Sequence, residues 1–204
     1  MGEIGDLRDA LHEARALGLL GPGPIGTHID HADELVTELK GHGVDVGSRC
    51  LDLGSGGGVP GIVLAVREPA SRWTLLDAAE RRTAFLQRVV SSLDLGDRVE
   101  VVRGRAEVVA RDSVHRGVYD LVTARSFGPP AVTVECAAGF LAPGGWLAVS
   151  EPPIPDPARW PESGMRALGL EVVSTGSWML ARLVLPVPDD VPRRDGVPRK
   201  RPRW

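Results

Sequence analysis

Residues 51–62 read LDLGSGGGVPGI, in which Gly54, Gly56 and Gly58 follow Asp52 in the pattern D-x-G-x-G-x-G. Glycines this dense weaken regular structure, so something requires a bare backbone there. A turn of this kind, leaving a strand and opening a helix, lets a nucleoside cofactor lie against backbone N–H groups. Asp77 stands twenty-three residues past Gly54, at the end of the next apolar run. A carboxylate there can accept hydrogen bonds from both hydroxyls of a ribose. These two features do not choose the cofactor. Gly56-x-Gly58-x-x-Gly61 also satisfies the dinucleotide fingerprint, and NAD enzymes and methyltransferases share the ribose aspartate. A glycine turn without a ligand, and a surface aspartate that caps the following helix, are the plainer explanations.

The elements that must position these residues follow from apolar periodicity and breakers. Helices are expected over 5–20 and 29–41, with GPGPIGT breaking the chain between them. Strand and helix signals then alternate. Strands are expected at 49–53, 72–77, 98–103, 118–124 and 146–150. Helices are expected at 59–68, 79–93, 105–111 and 130–141, with Pro60 in a first turn, Gly96 as a stop and APGG as the turn before the fifth strand. A helix near 162–168 leads to LEVVST (170–175) and WMLARLVLPV (178–187), with only GS between them. Parallel strands need a long crossover, so this short link means an antiparallel hairpin. The fold class is α/β: a Rossmann-like, seven-stranded class I methyltransferase sheet. It has five parallel strands, a C-terminal antiparallel hairpin and helices on both faces. We divide the chain into an N-terminal helical segment (1–45), a methyltransferase domain (46–190) and a basic tail (191–204).

Three further features separate the cofactors. GRAE (104–107) follows the third strand, where a methyltransferase closes over adenine. YDLVTAR (119–125) leads into the fourth strand, and FLAPGGWLAV (140–149) into the fifth. The hairpin then replaces the second mononucleotide half that a dehydrogenase needs. Together these point to S-adenosylmethionine.

The 204 residues suffice for one full core, and 43% hydrophobic with 25% charged residues is ordinary for a soluble protein. No apolar run reaches bilayer length and no signal peptide is read at the start, so no membrane partner is expected. Two cysteines give no bridge framework, which fits the cytoplasm. Net charge is −3, but VPRRDGVPRKRPRW carries +5, leaving −8 on the remainder. The tail reads either as a nucleic-acid or acidic-protein contact or as a solvated end.

LDLGSGGGVPGI, TLLDAAERRTAFLQRVV, VEVVRGRAE and YDLVTARSF resemble the ribosomal RNA small-subunit methyltransferase G family, also called glucose-inhibited division protein B. The resemblance covers residues 48–150, and the tail's Pro-Arg-x-x-Gly-x-Pro pattern resembles that family's ending. GTHIDHADEL looks like a degraded form of its His-x-x-Asp-Ser stretch. The resemblance implies S-adenosylmethionine as cofactor and methylation of guanine N7 in 16S ribosomal RNA. It implies that Gly54, Ser55, Gly56, Gly58 and Val59 form the cofactor loop. Asp77 with Ala78 would hold the ribose side, and Ala106 and Glu107 would bracket the adenine. Arg125 would lie near the cofactor and position the incoming guanine; pairing with an acid at the strand end is its plainer role. The chain departs from the family in its short N-terminal region and in Ser150-Glu151, where a Lys-Gly pair is usual.

Guanine N7 has an exposed lone pair, so transfer needs in-line positioning and no dedicated base. Phe127 or Arg125 could stack on the unstacked base, and Phe127 equally reads as core. Cys50 and Cys136 read as buried small residues rather than nucleophiles. EPPI (151–154) reads as a rigid loop, and His28 and His31 as helix surface rather than a metal site. Most of Trp146, Trp160, Trp178 and Trp204 read as packing. The expected protein is a monomeric 16S ribosomal RNA methyltransferase without a metal. Two alternatives stay open. One is a small-molecule methyltransferase, favoured by the acidic body and Glu151. The other is a non-catalytic S-adenosylmethionine-binding paralogue that acts through the tail.

Overall fold

Asp6 starts the first helix, α1 (Leu7–Ala16), by accepting the Asp9 N–H on its carboxylate at 2.9 Å. Ala10, Leu11 and Ala14 share the buried face that results. The structure is a computed structural model that describes residues 6–44, 49–154 and 156–204. The start of the first expected helix at residue 5 and the expected domain boundary at 45/46 lie outside the described residues. The chain divides into two compact units, Met1–Arg103 and Gly104–Trp204.

In the first unit α1 is followed by α2 (Ile25–Gly41), β1 (Arg49–Leu53), α3 (Gly61–Arg67), β2 (Arg72–Asp77), α4 (Glu80–Ser92) and β3 (Val99–Arg103). The three strands are parallel. Each of β1 and β2 is buried after its first residue, as expected of strands covered on both faces. Register places Leu53 opposite Leu76, so Asp77 extends one residue past the end of β1. Asp77 is paired with Arg103 on its other side. In α4, Phe85, Leu86, Val89 and Val90 recur at helical spacing and are buried.

The second unit runs α5 (Ala106–Val109), β4 (Tyr119–Ala124), α6 (Pro130–Ala138), β5 (Leu141–Ser150), α7 (Glu162–Arg166), β6 (Leu170–Thr175), β7 (Trp178–Leu183) and α8 (Val197–Lys200). Every residue of α6 from Ala131 to Ala138 is buried. β4 and β5 are parallel, and β7 is antiparallel to both β5 and β6, as the two-residue Gly176-Ser177 link requires. Strand order in the seven-stranded sheet is β3-β2-β1-β4-β5-β7-β6.

Several expectations are corrected. The second helix begins at Ile25, four residues early, because the chain break ends at Pro24, whose fixed φ suits a helix entry. Pro60 stands just before α3 rather than within it. The left-handed residue after α4 is Asp94 (φ 54°), not Gly96. APGG is no turn between helix and strand. It is an irregular stretch inside β5, where Gly144 takes φ 78° and the pairing slips between Tyr119 and Leu121. A Cβ on Gly145 would stand 2.9 Å from the carbonyls of Ala142 and Tyr119. The last strand ends at Leu183 because Val184 and Leu185 turn their N–H groups onto the Gly169 carbonyl.

Gly61 is fixed by close packing of α3 on the sheet. An added Cβ would lie 2.6 Å from Leu75 Cδ2 and 2.7 Å from Asp52 Oδ2. We predict that Gly61→Ala destabilises the protein by about 1–3 kcal/mol, the usual cost of overpacking. Gly26→Ala, where nothing lies within 4 Å, should be neutral or slightly stabilising. Paired thermal melts check both.

Candidate functional site

The glycine turn is held in shape by the end of β2. The Leu76 carbonyl accepts N–H groups from both Gly54 (2.8 Å) and Ser55 (3.0 Å). Asp77, only 4% exposed, accepts the Gly56 N–H on Oδ2 at 3.0 Å and the Ala79 N–H on Oδ1 at 2.9 Å. Arg82 approaches Oδ2 at 3.4 Å. The Gly58 N–H is donated to the Ser55 carbonyl at 2.7 Å, and the Ser55 hydroxyl to the Asp52 carbonyl at 2.9 Å. The expectation that the loop offers its N–H groups to a ligand is therefore corrected: those of Gly54, Ser55, Gly56 and Gly58 are spent inside the protein. Gly54 and Gly56 are the half-buried residues of the turn, and Ser55, Gly57 and Gly58 are buried. Gly56 has φ 54°, and a Cβ on it would meet no protein atom closer than 3.6 Å. Gly57 is different, because a Cβ there would stand 2.8 Å from the Leu19 carbonyl that follows α1.

Two carboxylates flank the turn. Asp77 lies at its β2 side. Asp52, 1% exposed, accepts the first N–H of α3, from Gly61, at 3.2 Å. The helix start that would hold a pyrophosphate is thus already occupied by a carboxylate. Val59 is buried. Ala78, between Asp77 and the start of α4, is exposed. Gly54, Ser55, Gly56, Gly58, Val59, Asp77 and Ala78 are therefore gathered on the β1 and β2 ends of one unit. Asp77 does help start the next helix, as the plainer reading had it, but as a buried strut rather than a surface cap.

In the second unit Ala106 and Glu107 open α5 and are buried. Glu107 Oε1 accepts from the Arg105 guanidinium and from the Gly196 N–H, both at 3.2 Å. Arg125 follows β4, half-buried, with Ser126 beyond it at φ 53°. Phe127 is also half-buried and is not a core residue. Cys50 and Cys136 are buried and in no disulfide, and burial with Glu107 and Glu135 nearby pushes the Cys136 thiol far up. His28 is not on the helix surface: it is 8% exposed and meets the Gly21 carbonyl at 3.2 Å. Trp160 and Trp178 are buried, while Trp146 lies half-buried beneath the Arg182 guanidinium at 5.9 Å.

Two acids missed as structural residues organise this unit. Glu151 is 8% exposed and accepts from Arg159 (2.6 Å) and the Trp160 indole (2.8 Å). Its charge is spent internally. Glu135, fully buried, receives the Arg193 backbone N–H (2.9 Å) and both arms of its guanidinium (2.7 and 2.6 Å), with Arg203 at 3.4 Å. The tail is thus fastened rather than a solvated end. No signal in a single sequence pairs Glu135 with an arginine fifty-eight residues away.

The model for rRNA small subunit methyltransferase G matches residues 28–150. A protein named ribosomal RNA small subunit methyltransferase G from Roseiflexus castenholzii is 40% identical over 170 residues, 78% of this chain and 72% of that protein. Its namesake from Symbiobacterium thermophilum is 36% identical over 190 residues, 85% and 77%. Among solved structures, a SAM-dependent O-methyltransferase from Thermotoga maritima aligns with TM-score 0.56 at 14% identity, over 88% of this chain and 73% of that one. The antibiotic-resistance methyltransferase Kmr aligns with TM-score 0.56 at 15%, over 76% and 93%. At these identities the structures speak for the fold alone. Among the described residues no helix is long and apolar enough to cross a membrane.

Burial works against the charge on Glu135, but the Arg193 side chain, its backbone N–H and Arg203 together hold the carboxyl below its ordinary value of 4.5. A lowered folded value means stability that is present above the ordinary value and lost as pH falls through the folded one. We predict that the melting-temperature gap between wild type and Arg193→Gln is constant from neutral pH to about 5. It should narrow below that. Melts across a pH series check it.

Proposed function

Because the chain belongs to the rRNA small subunit methyltransferase G family, we propose that it is an S-adenosylmethionine-dependent methyltransferase of 16S ribosomal RNA, acting on guanine N7. The observation that carries the cofactor half of this reading is the distribution of charge and donors around the glycine turn. A dinucleotide needs free N–H groups for its pyrophosphate. Here four loop N–H groups are taken, and carboxylates stand at the α3 start and the β2 end. That environment suits a ligand with a ribose and a cationic sulfonium and is the wrong sign for a pyrophosphate.

When bound, S-adenosylmethionine supplies an electrophilic methyl group. The residues of this chain have the task of holding. Asp77 accepts from the ribose hydroxyls, with Ala78 beside it. Gly54, Ser55, Gly56, Gly58 and Val59 shape the turn, and the missing Cβ of Gly56 leaves space for the ligand. By their place in the family motif, Ala106 and Glu107 bracket the adenine, and Arg125 positions the guanine. Guanine N7 presents a lone pair that needs no deprotonation, so no residue is assigned as a base. Arg125 is a positioning residue in this scheme. The burial and pairing of Glu151 remove one of the two features that had favoured a small-molecule acceptor. A ribosomal RNA substrate puts the protein in the cytoplasm, and transfer from one cofactor to one base requires no second copy of the chain.

Wild type should bind S-adenosylmethionine and not NAD in calorimetric titration. Asp77→Ala should bind it about ten- to a hundredfold more weakly, the range expected for lost hydrogen bonds to a charged group. Equal binding by both would remove the role of Asp77. Incubation with 16S RNA lacking the mark should place label on guanine N7, and label elsewhere would refute the acceptor.

A further inference from the structure

The six basic residues of the C-terminal segment have two separate jobs. Arg193 and Arg203 are internal fasteners: both reach the buried carboxylate of Glu135, and Arg203 also reaches Asp190 at 3.2 Å. Between them the segment is held again. The Gly196 N–H donates to Glu107, Asp195 pairs with Arg105 at 2.9 Å, and Pro198 is buried. At its end the Trp204 indole donates to the Arg159 carbonyl at 3.1 Å. Upstream, Arg111 donates to the Asp190 carbonyl and Arg116 to that of Val191.

The remaining four cations, Arg194, Arg199, Lys200 and Arg201, are exposed. The acid among them, Asp195, is paired with Arg105, which also reaches Glu107, so the four cations outweigh the one acid within these eight residues. A floppy tail with this composition would lose conformational entropy on meeting a polyanion. A fastened one has already met that cost in folding.

We propose that Arg194, Arg199, Lys200 and Arg201 form a preorganised ridge that binds the phosphate backbone of the RNA substrate. This rests on the reading of the chain as an RNA methyltransferase. The ridge contacts phosphates and so contributes affinity and orientation without reading sequence.

The test replaces all four with glutamine (R194Q/R199Q/K200Q/R201Q) and measures filter binding of unmethylated 16S RNA over a potassium chloride series. Affinity at low salt should fall by at least about tenfold. The log–log salt slope should flatten by up to about 3, since single-stranded RNA gives about 0.7 per phosphate contact. Melting temperature and S-adenosylmethionine binding should match wild type, because none of the four is placed at the cofactor. An unchanged RNA affinity and slope in the variant, with wild type binding RNA normally, would overturn the ridge alone. Failure of wild type to bind RNA while it binds S-adenosylmethionine would overturn the RNA reading and the ridge with it. A variant that keeps RNA but loses capture of polyglutamate would hand the ridge to an acidic protein instead, and would overturn the proposal.

Discussion

The junction between β1 and β2 holds the glycine turn in its shape. One carbonyl, Leu76, and one carboxylate, Asp77, between them take the N–H groups of Gly54, Ser55 and Gly56. That anchoring is possible because register carries β2 one residue past β1. The turn leaving β1 therefore meets the end of its neighbour. With three consecutive amides satisfied, the turn can stay bare of side chains without leaving buried polar groups unmet.

The glycines divide their labour around this junction. Gly61 and Gly57 are small because protein atoms press on them, from Leu75 and Asp52 in one case and from Leu19 in the other. At Gly56 a Cβ would stand in ordinary contact, 3.6 Å from the Leu19 carbonyl, so it is the φ of 54° that calls for glycine there. The acids divide similarly. Glu107, Glu135 and Glu151 are all buried against arginines, so their charges serve the interior. A formal charge of −8 on the body consequently overstates how acidic its surface is.

Much of this was legible in the residues. The strands at 49–53, 72–77 and 170–175 stand where the apolar runs put them, because a buried strand has a strong and local pattern. The two-residue link before β7 settled its direction. The loop and Asp77 were visible by type and spacing. What escaped were facts about partners. Nothing local distinguishes Asp94 from Gly96 as the left-handed residue, since both tolerate that conformation. APGG carries strong turn signals, and it is the pairing of Leu141 with Tyr119 and of Trp146 with Leu121 on either side that draws it into a strand. The destination of the loop amides, the burial of His28 and the capture of Arg193 by Glu135 depend on residues distant in the chain.

Asp77 also bears on how relatives should be compared. Its two carboxylate oxygens hold the Gly56 and Ala79 N–H groups whatever ligand the turn meets. A descendant that had abandoned the cofactor would still need a carboxylate there to keep its β1–β2 junction closed. Retention of the glycine run and its aspartate would then track folding, and the signature would outlive the activity.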